Sequence, residues 1–165
     1  MKIAAVLLFL LVSAGAAGAQ TAVESTFAKN KAAYTREHLV LGEDANSGFD
    51  YLFYKNGADI VKIRSIWSAS YTKELRIEDL YYADGLVLVR RYAGVKRDLA
   101  SLKRFRDVPL IPKEELQFSN SKMTVWKLEG KSIAATDQRW TETERATLEH
   151  AKDEREAYVW RKEDK

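Results

Sequence analysis

From Phe49 onward the chain alternates apolar and polar positions with a period of two, interrupted at short intervals by turn-forming pairs. Residues 53–64 read Phe-Tyr-Lys-Asn-Gly-Ala-Asp-Ile-Val-Lys-Ile-Arg, and residues 81–90 read Tyr-Tyr-Ala-Asp-Gly-Leu-Val-Leu-Val-Arg. Each is an aromatic pair, a spacer, Asn/Asp-Gly, and a β-branched or leucine run ending in arginine. Asn-Gly and Asp-Gly supply the positive φ angles of tight hairpin turns. A degenerate third copy runs from Gln117-Phe118-Ser119-Asn120-Ser121 into Met123-Thr124-Val125-Trp126. A two-residue Asp84-Gly85 loop predicts Ala83 opposite Leu86, Tyr82 opposite Val87, Tyr81 opposite Leu88 and Leu80 opposite Val89. The same register sets Asp79 opposite Arg90 and Glu78 opposite Arg91, matching aromatic to aliphatic and acid to base. In the first hairpin, a three-residue Asn56-Gly57-Ala58 loop sets Lys55 opposite Asp59, Tyr51 opposite Ile63 and Asp50 opposite Arg64.

The flanks carry the longer helical period. Thr21–Leu41 reads as one amphipathic helix, capped by Thr21 or Ser25 and stopped by Gly42. Thr141-Glu142-Thr143-Glu144 has the form of a capping box and opens a second helix, with Leu148, Ala151, Arg155, Tyr158 and Val159 on its inner stripe. Between the hairpins, Asp98–Arg106 predicts a short helix closed by Pro109 and Pro112, and residues 130–139 are irregular. The expected fold is α+β: an antiparallel meander of five or six strands, with the N- and C-terminal helices packed on one face.

The first 19 residues change the setting. Met-Lys precedes an apolar run from Ile3 to Val12, and small residues ending Ala17-Gly18-Ala19 precede Gln20. A secretory signal peptide has those parts in that order, so the mature chain is expected to start near Gln20 and to act in the periplasm or outside the cell. Residues 20–165 then form one domain, large enough to bury a core without staples. There is no cysteine, hence no disulfide and no lipid-anchoring thiol. The formal charge of +3 conceals a local asymmetry. Between Leu86 and Arg106 lie Arg90, Arg91, Lys96, Arg97, Lys103, Arg104 and Arg106 against the single acid Asp98.

Candidate chemistry is sparse. His38 and His150 stand far apart and in no metal-ligand spacing, His38 near the expected helix end and His150 facing solvent from mid-helix. No nucleophile elbow or phosphate-binding glycine loop occurs, so neither an enzymatic activity nor a cofactor or metal is expected. Two features point to binding. Trp67, Tyr71, Tyr81 and Tyr82 load the sheet with aromatic side chains, half of which fall on the face opposite the helices. Arg90, Arg91, Arg97 and Arg104 mark a basic segment, Arg90–Arg106, suited to an anionic ligand. An exported chain of nearly balanced charge is a poor fit to nucleic acid.

The stretch Tyr81-Tyr82-Ala83-Asp84-Gly85-Leu86-Val87-Leu88-Val89-Arg90, with Ile63-Arg64-Ser65-Ile66-Trp67-Ser68 before it, resembles uncharacterised exported bacterial proteins built from successive β-hairpins. The resemblance covers residues 49–92. It implies the compartment and the sheet, and brings no catalytic residues with it. The expected function is an exported binding module that meets a protein or envelope component through its aromatic sheet face. The alternatives are a small-ligand carrier or sensor with an apolar pocket between sheet and helices, and an enzyme of unrecognised type.

Overall fold

The computed structural model describes residues 21–41, 48–68, 74–95 and 111–163. Helix α1 (Ala22–Asn30) and a 3-10 turn (Lys31–Ala33) lead into eight strands: β1 (Thr35–Leu41), β2 (Gly48–Asn56), β3 (Asp59–Ser68), β4 (Glu74–Tyr82), β5 (Leu86–Val95), β6 (Ile111–Ser119), β7 (Lys122–Leu128) and β8 (Lys131–Ser132). Helix α2 (Trp140–Glu163) ends the described chain. The strands form one antiparallel sheet in sequence order, so the fold is an α+β meander of eight strands rather than five or six. The signal-like segment and the helix expected over 98–106 lie outside the described residues.

The two additional strands have simple causes. β8 is a two-residue return after the Glu129-Gly130 turn. β1 occupies the second half of what reads as one helix from Thr21 to Leu41. Thr21 caps α1 through a reciprocal box with Glu24, as its spacing predicts, but the helix stops at Asn30. Beyond it, Glu37 and Leu39 turn to one side of the sheet while Arg36 and His38 turn to the other, the alternation of a strand. The open edge of β2 outweighs a helical preference that Thr35, Val40 and Tyr34 only weakly support.

The core is a transverse row. Phe53, Ile63, Leu80, Val89, Leu116 and Trp126 stand side by side, each paired with the next across β2–β7, and all are buried. Helix α2 covers this face and runs across the strands rather than along them. Trp140 meets Trp126 of β7, Ala151 accepts a hydrogen bond from Tyr82 of β4, and Tyr158 packs on Phe53 of β2. Rising 1.5 Å per residue, the helix advances about 27 Å from Trp140 to Tyr158. Seven strands spaced by 4.8 Å are about 29 Å wide, so one helix spans the sheet.

The helices do not share a face, contrary to the sequence expectation. Phe27 of α1 packs edge-on against Tyr54 and Tyr81, whose side chains project from the side opposite Phe53 and Leu80. With α2 filling the width of the first face, the narrow stripe of α1 finds its aromatic contacts on the second.

The β4–β5 pairing has the predicted matches Asp79–Arg90, Glu78–Arg91, Leu80–Val89 and Tyr81–Leu88. A bulge then sets Tyr82 opposite Leu86, so the turn takes in Ala83, Asp84 and Gly85 and not two residues alone. In the first hairpin the loop is Gly57-Ala58, Asn56 faces Asp59, and a bulge past Lys55 brings Tyr51 opposite Ser65 and Asp50 opposite Ile66. The expected Asp50–Arg64 pair is therefore replaced: Arg64 faces Asp79 on the next strand. The third hairpin turns at Asn120 and Ser121, both with positive φ (49° and 57°). Asparagine tolerates that conformation better than serine, and the favoured pair is Asn-Gly. Ser121→Gly should raise stability by about 0.5–1 kcal/mol, read as a higher urea midpoint at unchanged slope.

Candidate functional site

Three successive strands each carry a pair of like-charged neighbours: Glu78-Asp79 in β4, Arg90-Arg91 in β5 and Glu114-Glu115 in β6. Adjacent residues of a strand point to opposite faces, so each pair contributes one charge to either side. On the α1 side the register aligns Arg64, Asp79, Arg90, Glu115 and Lys127 across five strands, alternating in sign. On the α2 side it aligns Glu78, Arg91 and Glu114.

The first row is the more deeply buried. Asp79 is 1% exposed and accepts hydrogen bonds from Arg64 Nε and Nη2, both at 2.6 Å, and from Lys62 Nζ at 2.8 Å. Burial works to raise the Asp79 carboxyl, but the Arg64 hydrogen bonds and the two cations outweigh it and hold it below the usual carboxylate range. Lys62 also donates to the Tyr81 hydroxyl at 2.7 Å and lies over the rings of Tyr81 and Phe27. Burial pushes its ammonium down to about 8, against the pull of Asp79. Arg90 is held between Glu24 of α1 (2.9 Å) and Glu115 of β6 (3.0 Å). The second row docks α2: His150 Nε2 lies 2.6 Å from Glu78 Oε2, and Arg91 bridges Glu78 and Glu114. The Glu78 hydrogen bond raises the His150 pKa, with burial opposing it.

Farther along α2, Tyr51 donates to Glu154, and Lys55, Glu37 and Tyr158 form a triangle joining β1, β2 and the helix. At the other end Glu144 does not close the expected box on Thr141. Its Oε2 accepts the Met123 amide of β7 at 2.7 Å, tying the helix start to the sheet.

A concavity of about 480 Å³ opens where the β2–β3 and β4–β5 turns meet α2. Ile60, Tyr82, Leu86, Leu148, Ala151 and Tyr158 line its apolar part, with Asp59, Lys152, Arg155 and Glu156 among them. A second groove, of about 530 Å³, lies on the α1 side and includes Phe27, Tyr34, Tyr81 and Asp84. The two share Asp59, Ile60, Tyr82 and Arg155. The Arg155 guanidinium lies 5.2 Å from the centroid of the Tyr82 ring.

The residues predicted from sequence fare unevenly. Tyr81 and Tyr82 are 5% and 7% exposed and belong to opposite faces of the core, so they present no aromatic surface. Tyr82 still borders the groove with its ring while its hydroxyl is spent on the Ala151 carbonyl. Trp67 is half-buried, with the Arg76 guanidinium over its ring. Arg90, at 7% exposure, and Arg91 sit on opposite faces and are neutralised by carboxylates, so the expected anion surface does not include them. The reason is the strand alternation that places a carboxylate beside each. Tyr71, Arg97 and Arg104 lie outside the described residues. His150 does not face solvent alone but links α2 to Glu78, and His38 stands on β1, 3.5 Å from Asp50. Nothing in their residue types marks the groove residues Ile60, Leu86 and Leu148 as a site, since each is an ordinary apolar position of a hairpin or helix. Their one signal in the sequence is the position of Arg155 beside Leu148, Ala151 and Tyr158 on α2, although Glu144, His150 and Glu154 also turn polar groups to the sheet.

Removing Asp79 leaves Lys62 and Arg64 uncompensated, and Asp79→Ala should cost about 3–5 kcal/mol in urea unfolding. The raised His150 pKa has a defined sign. Its contribution is complete below the ordinary histidine value of about 6.5 and is lost as pH rises through the folded value. The stability deficit of His150→Gln against wild type should therefore be larger at about pH 5.5 than at about pH 9.

No family model matches the chain, and no curated protein or solved structure does either.

Proposed function

We propose that the protein is an exported, non-catalytic ligand-binding module whose site is the groove between α2 and the turns of β2–β3 and β4–β5. The observation that carries this reading is the groove itself: about 480 Å³ in volume and floored by apolar side chains, within the range of small-molecule sites. The aromatic-face reading loses its support with the burial of Tyr81 and Tyr82, and a pocket between sheet and helix takes its place. The charged clusters of the sheet favour binding over catalysis, because their members are already satisfied by one another. Asp79, Arg90, Arg91 and Glu115 each meet an opposite charge, and Lys62 reaches both Asp79 and Tyr81. Among the described residues no three histidines, aspartates or glutamates are grouped to hold a metal ion, and no helix is long and apolar enough to cross a membrane. Export, with cleavage near Ala19-Gln20, rests on the order of charge, apolar run and small residues at the start of the chain.

A solvatochromic apolar dye such as Nile red tests the site. Saturable fluorescence enhancement is expected with the folded wild-type chain. Leu148→Trp fills the groove from α2 and should abolish the enhancement while leaving the far-ultraviolet dichroism unchanged. An absence of saturable binding by the wild type, or undiminished binding by the folded variant, overturns the proposal.

A further inference from the structure

Arg155 differs from the other arginines described around it. Arg64, Arg90 and Arg91 lie against carboxylates of the sheet, and Arg145 lies between Glu142 and Glu149 on the outer surface of α2. Arg155, an exposed residue, has no ion pair or hydrogen bond among the described residues, and its contact is with the face of the Tyr82 ring. A guanidinium lying on an aromatic ring keeps its in-plane N–H donors directed outward, and it is more weakly hydrated than an ammonium. Here that ring is also part of the groove floor. The side chain is thus held over the mouth of an apolar cleft with its donors unspent.

We propose that the groove takes an aliphatic monocarboxylate, its carboxylate paired with Arg155 and its hydrocarbon chain along Ile60, Leu86, Leu148 and Tyr158. The inference rests on the groove being the binding site and adds the class of ligand. Charge at the mouth selects the head group. The planar fork of a guanidinium matches a carboxylate with two parallel hydrogen bonds, one of the stronger pairings available to a side chain. Asp59 borders the same groove and also stands without an ion pair among the described residues. Its negative charge limits the anion that Arg155 accepts, favouring a single charge over a dianionic phosphate monoester. Lys152 and Glu156, which also line the groove, are 3.6 Å apart and offset one another's charge. Ile60, Leu86, Leu148 and Tyr158 supply the apolar lining that a hydrocarbon chain requires.

The test is displacement of Nile red from the full chain by dodecanoate, dodecanol, dodecyl phosphate and dodecyltrimethylammonium, each below its micellar concentration. Dodecanoate should bind about tenfold more tightly than dodecanol, and more tightly than the other two. Arg155→Gln should remove that advantage and leave dodecanol binding unchanged, whereas Arg145→Gln should alter neither. Asp59→Asn should tighten dodecanoate by a few-fold and narrow its lead over dodecyl phosphate. Dodecanol binding as tightly as dodecanoate, an unaffected Arg155→Gln variant, or weaker dodecanoate binding by Asp59→Asn each overturns the carboxylate assignment while the groove stands. If none of the four compounds displaces the dye, the groove itself is not the site.

Discussion

The alignment of opposite charges across the central strands is the constraint on which the rest of the fold depends. Asp79 faces Arg90, which faces Glu115, and one residue away Glu78 faces Arg91, which faces Glu114. Slipping a strand by one position would exchange its two faces, and slipping β5 by two against β4 would set Arg91 against Leu80 and Arg90 against Tyr81, or Glu78 against Val89 and Asp79 against Leu88. An intact buried ion pair contributes little net stability, because desolvation offsets the attraction. A misplaced one leaves an unpaired charge inside the sheet at a cost of several kcal/mol. The rows therefore act by penalising wrong registers. The correct one brings six large apolar side chains from Phe53 to Trp126 into line beneath α2.

The same strand geometry explains why the two faces are so different. The α2 side is mainly hydrocarbon with a polar seam at His150, Glu78 and Arg91. The α1 side carries the Lys62–Asp79–Arg64 cluster, and α1 itself buries no residue completely. It is held by Phe27 against Tyr54 and Tyr81 and by Glu24 on Arg90. The candidate site stands at the end of the sheet where these two environments meet, around Tyr82 and Ile60. There the tight turns withdraw the strands and leave α2 overhanging apolar side chains.

Much of the sheet is legible in the sequence because local chemistry determines it. The Asp84-Gly85 turn and the charge order of residues 78–91 are enough to pair β4 with β5 as far as Tyr81. The first hairpin shows the limit: two registers satisfy alternation there, and the observed one, with its bulge past Lys55, lets Arg64 pair with Asp79 on β4 and not with Asp50 on β2. β1 is obscured for a similar reason, since residues 34–41 gain their structure from the edge of β2. The opposed placement of the helices follows from available area on each face, which periodicity does not encode. The groove is harder still to read, being assembled from two turns and one helix more than 60 residues away. Arg155 is only a weak local trace of it, since Glu144 and Glu154 also place charges on the sheet side of α2, where Met123 and Tyr51 bind them.

The crossing of the sheet by α2 has a consequence for how the chain acquires its structure. Tyr158, near the end of the described helix, meets Glu37 of the first strand, a separation of 121 residues, and Tyr51 reaches Glu154 across 103. Contacts so distant in sequence cannot form until nearly the whole polypeptide is available, and their loop-closure entropy must be met before they contribute. Until then the row from Phe53 to Trp126 has no cover. A chain emerging in order from a ribosome can pair its neighbouring strands as they appear, because the sheet follows sequence order, but it gains the cover of α2 only when that helix arrives.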